Sequence, residues 1–254
     1  MTTPVADWPA EATMRARRRM SLVADPSHGP LPLLLVGLTV VVGIVDAVSI
    51  LVLGQVFVAN MTGNVVFVGF AVADAAGFSL TASLLALAGF LVGAAVGGRL
   101  AAWFGADRAR LLAIGASVEL MLFGAATVLV GLSAQPLNAG SRLAAVAVLA
   151  VATGTQNSVV RRLAVPDLTT TVLTMTLTGI AADVRGRLRS PGFARRLIAV
   201  VSMFGGAVVG AALVIHQNPA TALAVGTALL AVVTGSAWFA TRHPSAWRAS
   251  SASA

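Results

Sequence analysis

The chain has no cysteine, no lysine and no tyrosine, and only 10% of its 254 residues are charged. Without cysteine there is no disulfide framework, no thiolate metal site and no thiol nucleophile. The shortage of charge argues against a freely soluble domain. Hydrophobic residues make up 57% of the chain and the mean hydropathy is +0.91, a surface that would associate in water. All 17 basic side chains are arginines, for a net charge of +8. They lie between apolar runs and not in one patch with aromatics, which is the pattern of membrane orientation and not of nucleic-acid binding. Enzyme signatures are missing too: there is no His-Glu-x-x-His, no Gly-x-Ser-x-Gly and no phosphate loop. An intramembrane aspartyl protease needs two deep aspartates, and only Asp46 qualifies. His28, His216 and His243 fall outside the apolar runs and lack metal-ligand spacing. No enzymatic activity, cofactor or metal is expected.

What is present is a series of eight apolar segments, roughly 31–53, 55–73, 79–104, 109–132, 142–160, 168–184, 194–215 and 220–241. Helices are the expected form, because open strands leave backbone groups unsatisfied in lipid. Residues 1–30, with Arg15 and Arg17 to Arg19, read as a disordered cytoplasmic tail rather than a signal peptide. The apolar run after them is too long, and no small-x-small cleavage site follows. Residues 242–254 read as a second cytoplasmic tail.

Two segments differ from the rest. The second opens with Asn60-Met61-Thr62-Gly63-Asn64, and the sixth carries Thr169, Thr170, Thr171, Thr174, Thr176 and Thr178. If all eight segments crossed, Arg161–Arg162 and Arg185–Arg196 would fall on opposite sides. If the second and sixth enter and return, every arginine-bearing stretch becomes cytoplasmic. The expected fold is therefore an all-α polytopic bundle of six crossings plus two short broken or re-entrant elements.

This order repeats. Segments one to four, about 31–132, and five to eight, about 142–241, both run helix, irregular element, helix, helix. Three crossings per half make the halves opposite in orientation, an inverted repeat. Gly43-x-x-Asp46 answers Gly154-x-x-Asn157, and Thr62-x-Asn64 answers Thr174-x-Thr176. The stripe Gly89, Gly93, Gly97 answers Gly206 and Gly210; such stripes could close the monomer or join protomers into a homo-oligomer. Arg99 and Arg142 lie nearest to helix ends, where snorkelling accounts for them. Trp103 and Trp238 fit an interfacial belt.

Asp46 is the sharpest candidate for chemistry. A charge at such a depth costs at least ~2.5 kcal/mol, so it should face a cavity, hold a partner or take up a proton. Glu119 is a second candidate for proton coupling. Gly63 permits a break, and a half-helix starting near the membrane centre would offer unpaired N–H groups and a positive dipole end. Two such elements suit an anion or a small polar solute.

The first half, Gly43-Ile-Val-Asp46-Ala-Val-Ser49 followed by Leu53-Gly54-Gln55-Val56-Phe57-Val58-Ala59-Asn60-Met61-Thr62-Gly63-Asn64, resembles the YoaK family of bacterial membrane proteins. The second half adds Gly154-Thr-Gln156-Asn157-Ser158, Thr169-Thr170 and Thr174-x-Thr176-Leu177-Thr178, similar to that family's later motif. Ile50 and Met175 depart from it, where an aromatic and a glycine are usual. The resemblance spans roughly residues 30–240. It implies a multi-helix protein of the bacterial cytoplasmic membrane and carries no substrate with it.

The resulting expectation is a small-solute or anion permease with a polar site at the midplane. Asn60, Thr62, Gly63, Asn64, Asn157, Thr174 and Thr176 would bind the solute, and Asp46 and Glu119 would couple protons. Lipid is the expected surroundings, with both termini cytoplasmic. The rival is a non-transporting membrane scaffold or regulatory protein, whose polar elements serve packing.

Overall fold

A computed structural model describes residues 28–165, 177–178, 191–242 and 246–249. Among these, the helices are α1 (Leu31–Leu51), α2 (Met61–Val72), α3 (Leu80–Phe104), α4 (Arg108–Leu132), α5 (Ala139–Leu163), α6 (Pro191–His216) and α7 (Pro219–Thr241), with a 3-10 turn at Ala246–Arg248. Six of them are long and apolar enough to cross a membrane. The exception is α2, whose 12 residues reach about 18 Å against a hydrocarbon core of about 30 Å. The expected segments were recovered, but the break expected at Asn60 to Asn64 lies earlier, at 52–60: Met61 to Asn64, Gly63 included, form the first turn of α2. The sixth segment lies almost wholly outside the described residues.

Polar caps set most of the helix starts. The side chains of Ser79, Asp107, Asn138 and Asn218 accept from the amides of Ala82, Ala109 and Arg110, Ser141, and Thr221 respectively. Each satisfies donors that the first turn would otherwise leave orphaned.

Helix directions follow from which residues meet. Val40 and Ile44 of α1 meet Gly206 and Gly210 of α6, so these helices are parallel; Gly89, Gly93 and Gly97 of α3 meet Ala147, Val151 and Thr155 of α5, also parallel. Gly37 lies against Val233 and Gly226 against Ile44, so α1 and α7 are antiparallel. Thr127 bonds Thr227, and Thr234 bonds the carbonyl of Ala116, so α4 and α7 are antiparallel too. Arg108 reaches the Leu163 carbonyl at one end of α4, and Ser133 reaches Ser141 at the other, which makes α4 and α5 antiparallel. Together these relations run α1, α4 and α6 one way and α3, α5 and α7 the other. It follows that α1 ends on the face where α3 begins, and α5 ends on the face where α6 begins. The arginine pattern led to the same arrangement.

Two crossings hold the bundle together, and they share one register. Adding 111 to Val40, Gly43, Ile44 and Ala47 gives Val151, Gly154, Thr155 and Ser158. Adding 113 to Phe90, Gly93, Ala94 and Gly97 gives Met203, Gly206, Ala207 and Gly210. Gly43 abuts the backbone of Met203 and Ala207 as Gly154 abuts Phe90 and Ala94, and Gly210 meets Ile44 and Ala47 as Gly97 meets Thr155 and Ser158. A Cβ at any of these glycines would strike backbone, so the stripes are filled within the monomer and do not present a dimer face. The most enclosed of the six spans are α1 and α5, the first helix of each half.

Candidate functional site

Chain direction breaks after α1. Residues 52–60 are irregular, with Gly54 at φ 107°, a conformation glycine adopts without steric cost. The loop does not run along the surface. Leu53, Val56, Val58 and Ala59 are all buried, and Thr153, midway along α5, donates its hydroxyl to the Val58 carbonyl. The chain therefore folds back to mid-bundle before α2 begins.

Asn64 holds this loop. Its side-chain oxygen accepts from the Phe57 amide at 2.9 Å and its NH2 donates to the Phe57 carbonyl at 2.6 Å, so one side chain replaces a strand partner. Gly63 is required because a Cβ there would meet the Phe57 ring. Phe57 in turn stacks on Phe67 at 5.6 Å, and Phe78 lies 5.0 Å from Phe67, which pins α2 at the edge of the bundle. Replacing Asn64 with alanine leaves the partly buried amide and carbonyl of Phe57 unpaired, at up to about 1–3 kcal/mol each. The expected outcome is a lower melting temperature and faster amide exchange over residues 55–60 than elsewhere, measurable by mass spectrometry.

Asp46 lies under this loop, 5% exposed. Its carboxylate sits against the amides of Val58 and Ala59 without a hydrogen bond of ordinary geometry. Earlier in the same loop, Leu53 and Gly54 line a recess of about 340 Å³ with Gly77, Phe78, Arg142 and Leu143, among others. Arg142 is the one arginine near that end of the bundle among the described residues. Its position in the recess wall gives it a place that snorkelling alone does not explain.

The expected site residues are not all brought together. Asn60 precedes α2 beside the loop, but Thr62 points outward on the exposed side of α2, and Asn64 is engaged by Phe57. Asp46 lies five residues, about 8 Å, from the α1 end at Leu51, whereas Asn157 lies six residues, about 9 Å, from the opposite end of the bundle at Leu163. The two are therefore at different depths and do not share a midplane. Thr174 and Thr176 lie outside the described residues. Glu119 is buried in α4, on the Asn157 side of the bundle centre. Arg142 had a visible signal, an arginine at the arginine-poor end. Gln156 had a weaker one, an amide inside an apolar helix, and the mid-bundle position of Thr153 had none.

The opposite end is closed by a polar clasp. Arg108 donates to the carbonyls of Leu163 and Trp247, Arg248 pairs with Asp107, and the Trp247 ring packs on Gly29. Four separate chain segments meet there. Burial raises the pKa of Asp107, but the Arg248 guanidinium and the Arg110 and Ala109 amides outweigh it, holding the group below its ordinary 3.8. A folded value below the unfolded one stabilises above 3.8, and that stability is lost as pH falls through the lowered value. Thermal melts across pH should show this acid-dependent component in the wild type and lack it in Asp107→Asn. Added salt should weaken the pair as well, since both side chains are partly exposed. Identical acid responses in the two proteins would show that the Asp107–Arg248 pair contributes no stability.

YoaK of Bacillus subtilis (strain 168), described as a UPF0700 transmembrane protein, is 30% identical over 156 residues, covering 58% of this chain and 64% of that protein. The match thus spans less than two thirds of the relative. No solved structure matches. The family described as "Protein of unknown function (DUF1275)" matches residues 34–236. With that match covering most of the chain and six apolar spans in the structure, this integral membrane protein belongs to the DUF1275 family.

Proposed function

We propose that the protein is a permease for a small polar solute, with small anions the class that best suits Arg142, and that protons couple through Asp46. The observation that carries this reading is the 52–60 loop, which folds back to mid-bundle and touches both the Arg142 recess, through Leu53 and Gly54, and a buried carboxylate, through Val58 and Ala59. The shared register of the α1–α6 and α5–α3 crossings, with α1 and α5 opposed, supports an inverted repeat, the architecture on which alternating access is commonly built. The gathering of arginines at the clasp end supports cytoplasmic termini in the inner membrane of a bacterium. Thr174 and Thr176 stay in the proposal as the second half's counterparts of Thr62 and Asn64.

The rival reading, a scaffold or regulatory protein, draws on the outward side of α2, where Val65, Val66 and Val72 are exposed. Solvent access separates the two. Leu53→Cys and Leu143→Cys, made in a chain without native cysteine, should react with a membrane-impermeant maleimide from the recess side if the recess is aqueous. Proteoliposomes should also move chloride, nitrate or formate faster than empty vesicles. Full protection of both cysteines would end the permease reading in favour of the scaffold.

A further inference from the structure

Among the polar side chains enclosed in α5, partners are unevenly distributed. Thr153 donates to Val58, and Thr155 donates to the carbonyls of Gly93 and Val151. Gln156, 2% exposed, has no hydrogen-bond partner for either end of its amide. On α4, Glu119 is 1% exposed and its Oε1 is likewise unpartnered.

The antiparallel register brings the two side chains to one level. Gly115 meets Val159, and Ser133 meets Ser141 18 residues further along each helix, so the two contacts share one register. One turn on from Gly115, that register sets Glu119 level with Thr155 and Gln156. A buried carboxyl and a buried amide, each short of partners at the same depth, need a third group between them. Buried polar atoms are rarely left unmet, and internal water is what ordinarily meets them, with about three bonds per molecule.

We infer that Glu119 and Gln156 form a hydrated proton-exchange site in the half of the bundle nearer the clasp. Its ligand is water: Gln156 Nε2 donates to it, and the Gln156 and Glu119 oxygens accept from it. Among the described residues, no other charge lies at this level on the helices packed against α4 and α5. From Pro219 to Thr241, α7 has no titratable side chain, and α3 contributes only Arg99, near its C-terminal end. The arginines of α5, Arg142, Arg161 and Arg162, lie near its two ends and are exposed, and Arg108 and Arg110 open α4. Asp46 of α1 lies at the other depth. The site depends on hydration alone and holds whether or not the protein transports.

The chain has two glutamates, Glu11 and Glu119, so a Glu11→Gln background with carboxyl-¹³C glutamate isolates Glu119 in the infrared. In nanodiscs, a single ¹³C carboxylic C=O band is expected, shifting within minutes of transfer to D2O. Gln156→Met, of similar length, should move the band to the position of a carboxyl group free of hydrogen bonds and slow its exchange at least tenfold. Melting curves check that the variant folds; the exchange measurement itself needs no change at either residue. A band that stays unshifted in D2O for hours, or no carboxylic band at any pH, overturns the site. So does a Gln156→Met band identical to the parent's.

Discussion

Gly93→Leu and Gly206→Leu are expected to destabilise the protein strongly and to nearly the same extent, although the residues are 113 positions apart. At Gly93 a Cβ would meet the Val151 carbonyl and the Thr155 amide; at Gly206 it would meet the Val40 carbonyl. Backbone cannot rotate aside as a side chain can, so α3 must leave α5 and α6 must leave α1. Overpacking a close-packed contact costs about 1–3 kcal/mol where neighbours can shift, and more where they cannot. At about 3 kcal/mol, a chain of this size should lose roughly 6–12 °C in melting temperature. Gly124→Leu and Gly235→Leu serve as controls, since a Cβ at either glycine meets nothing within 4 Å. Near-equal losses at Gly93 and Gly206, against small ones at the controls, are the expected pattern. A loss at only one of the pair would count against equivalent crossings.

Asp46→Asn is expected to leave the fold intact and to remove the dependence of flux on a pH gradient. The substitution keeps the size of the side chain and deletes its capacity to gain and lose a proton. Asp46 is the only acidic residue in α1, and its carboxylate faces the loop that also lines the recess. If proton binding there biases the loop, the coupling should be of the usual size, about 1–3 kcal/mol or roughly 5–150-fold in solute affinity between protonation states. Proteoliposome flux measured with an inward gradient, an outward gradient and none should show three rates in the wild type and one in the variant. Three distinct rates in Asp46→Asn would remove Asp46 from coupling. A fold-level explanation is excluded if the melting temperature stays near that of the wild type.

Much of the architecture could be read from residue order. Six spans, and which helices begin on the same face as one another, followed from where arginines were absent, because moving a guanidinium across a bilayer is costly. The glycine stripes were visible as spacing, and Gly43 and Gly154 paired correctly. The composition of the site was less legible. Thr62 and Asn64 are two residues apart in one motif, yet one faces outward and the other clamps Phe57, because a helix turns about 200° between them.

Sequence alone determined that this protein lives in lipid and that it has six apolar spans, since both depend on local apolar length and charge. Tertiary structure decided which polar groups meet. Antiparallel packing set Gln156 beside the level of Glu119, the return of residues 52–60 to mid-bundle covered Asp46, and the opposed directions of α1 and α5 sent Asp46 and Asn157 to different depths. Those placements depend on helix register across hundreds of cubic ångströms of packed side chains, which spacing along one chain does not encode.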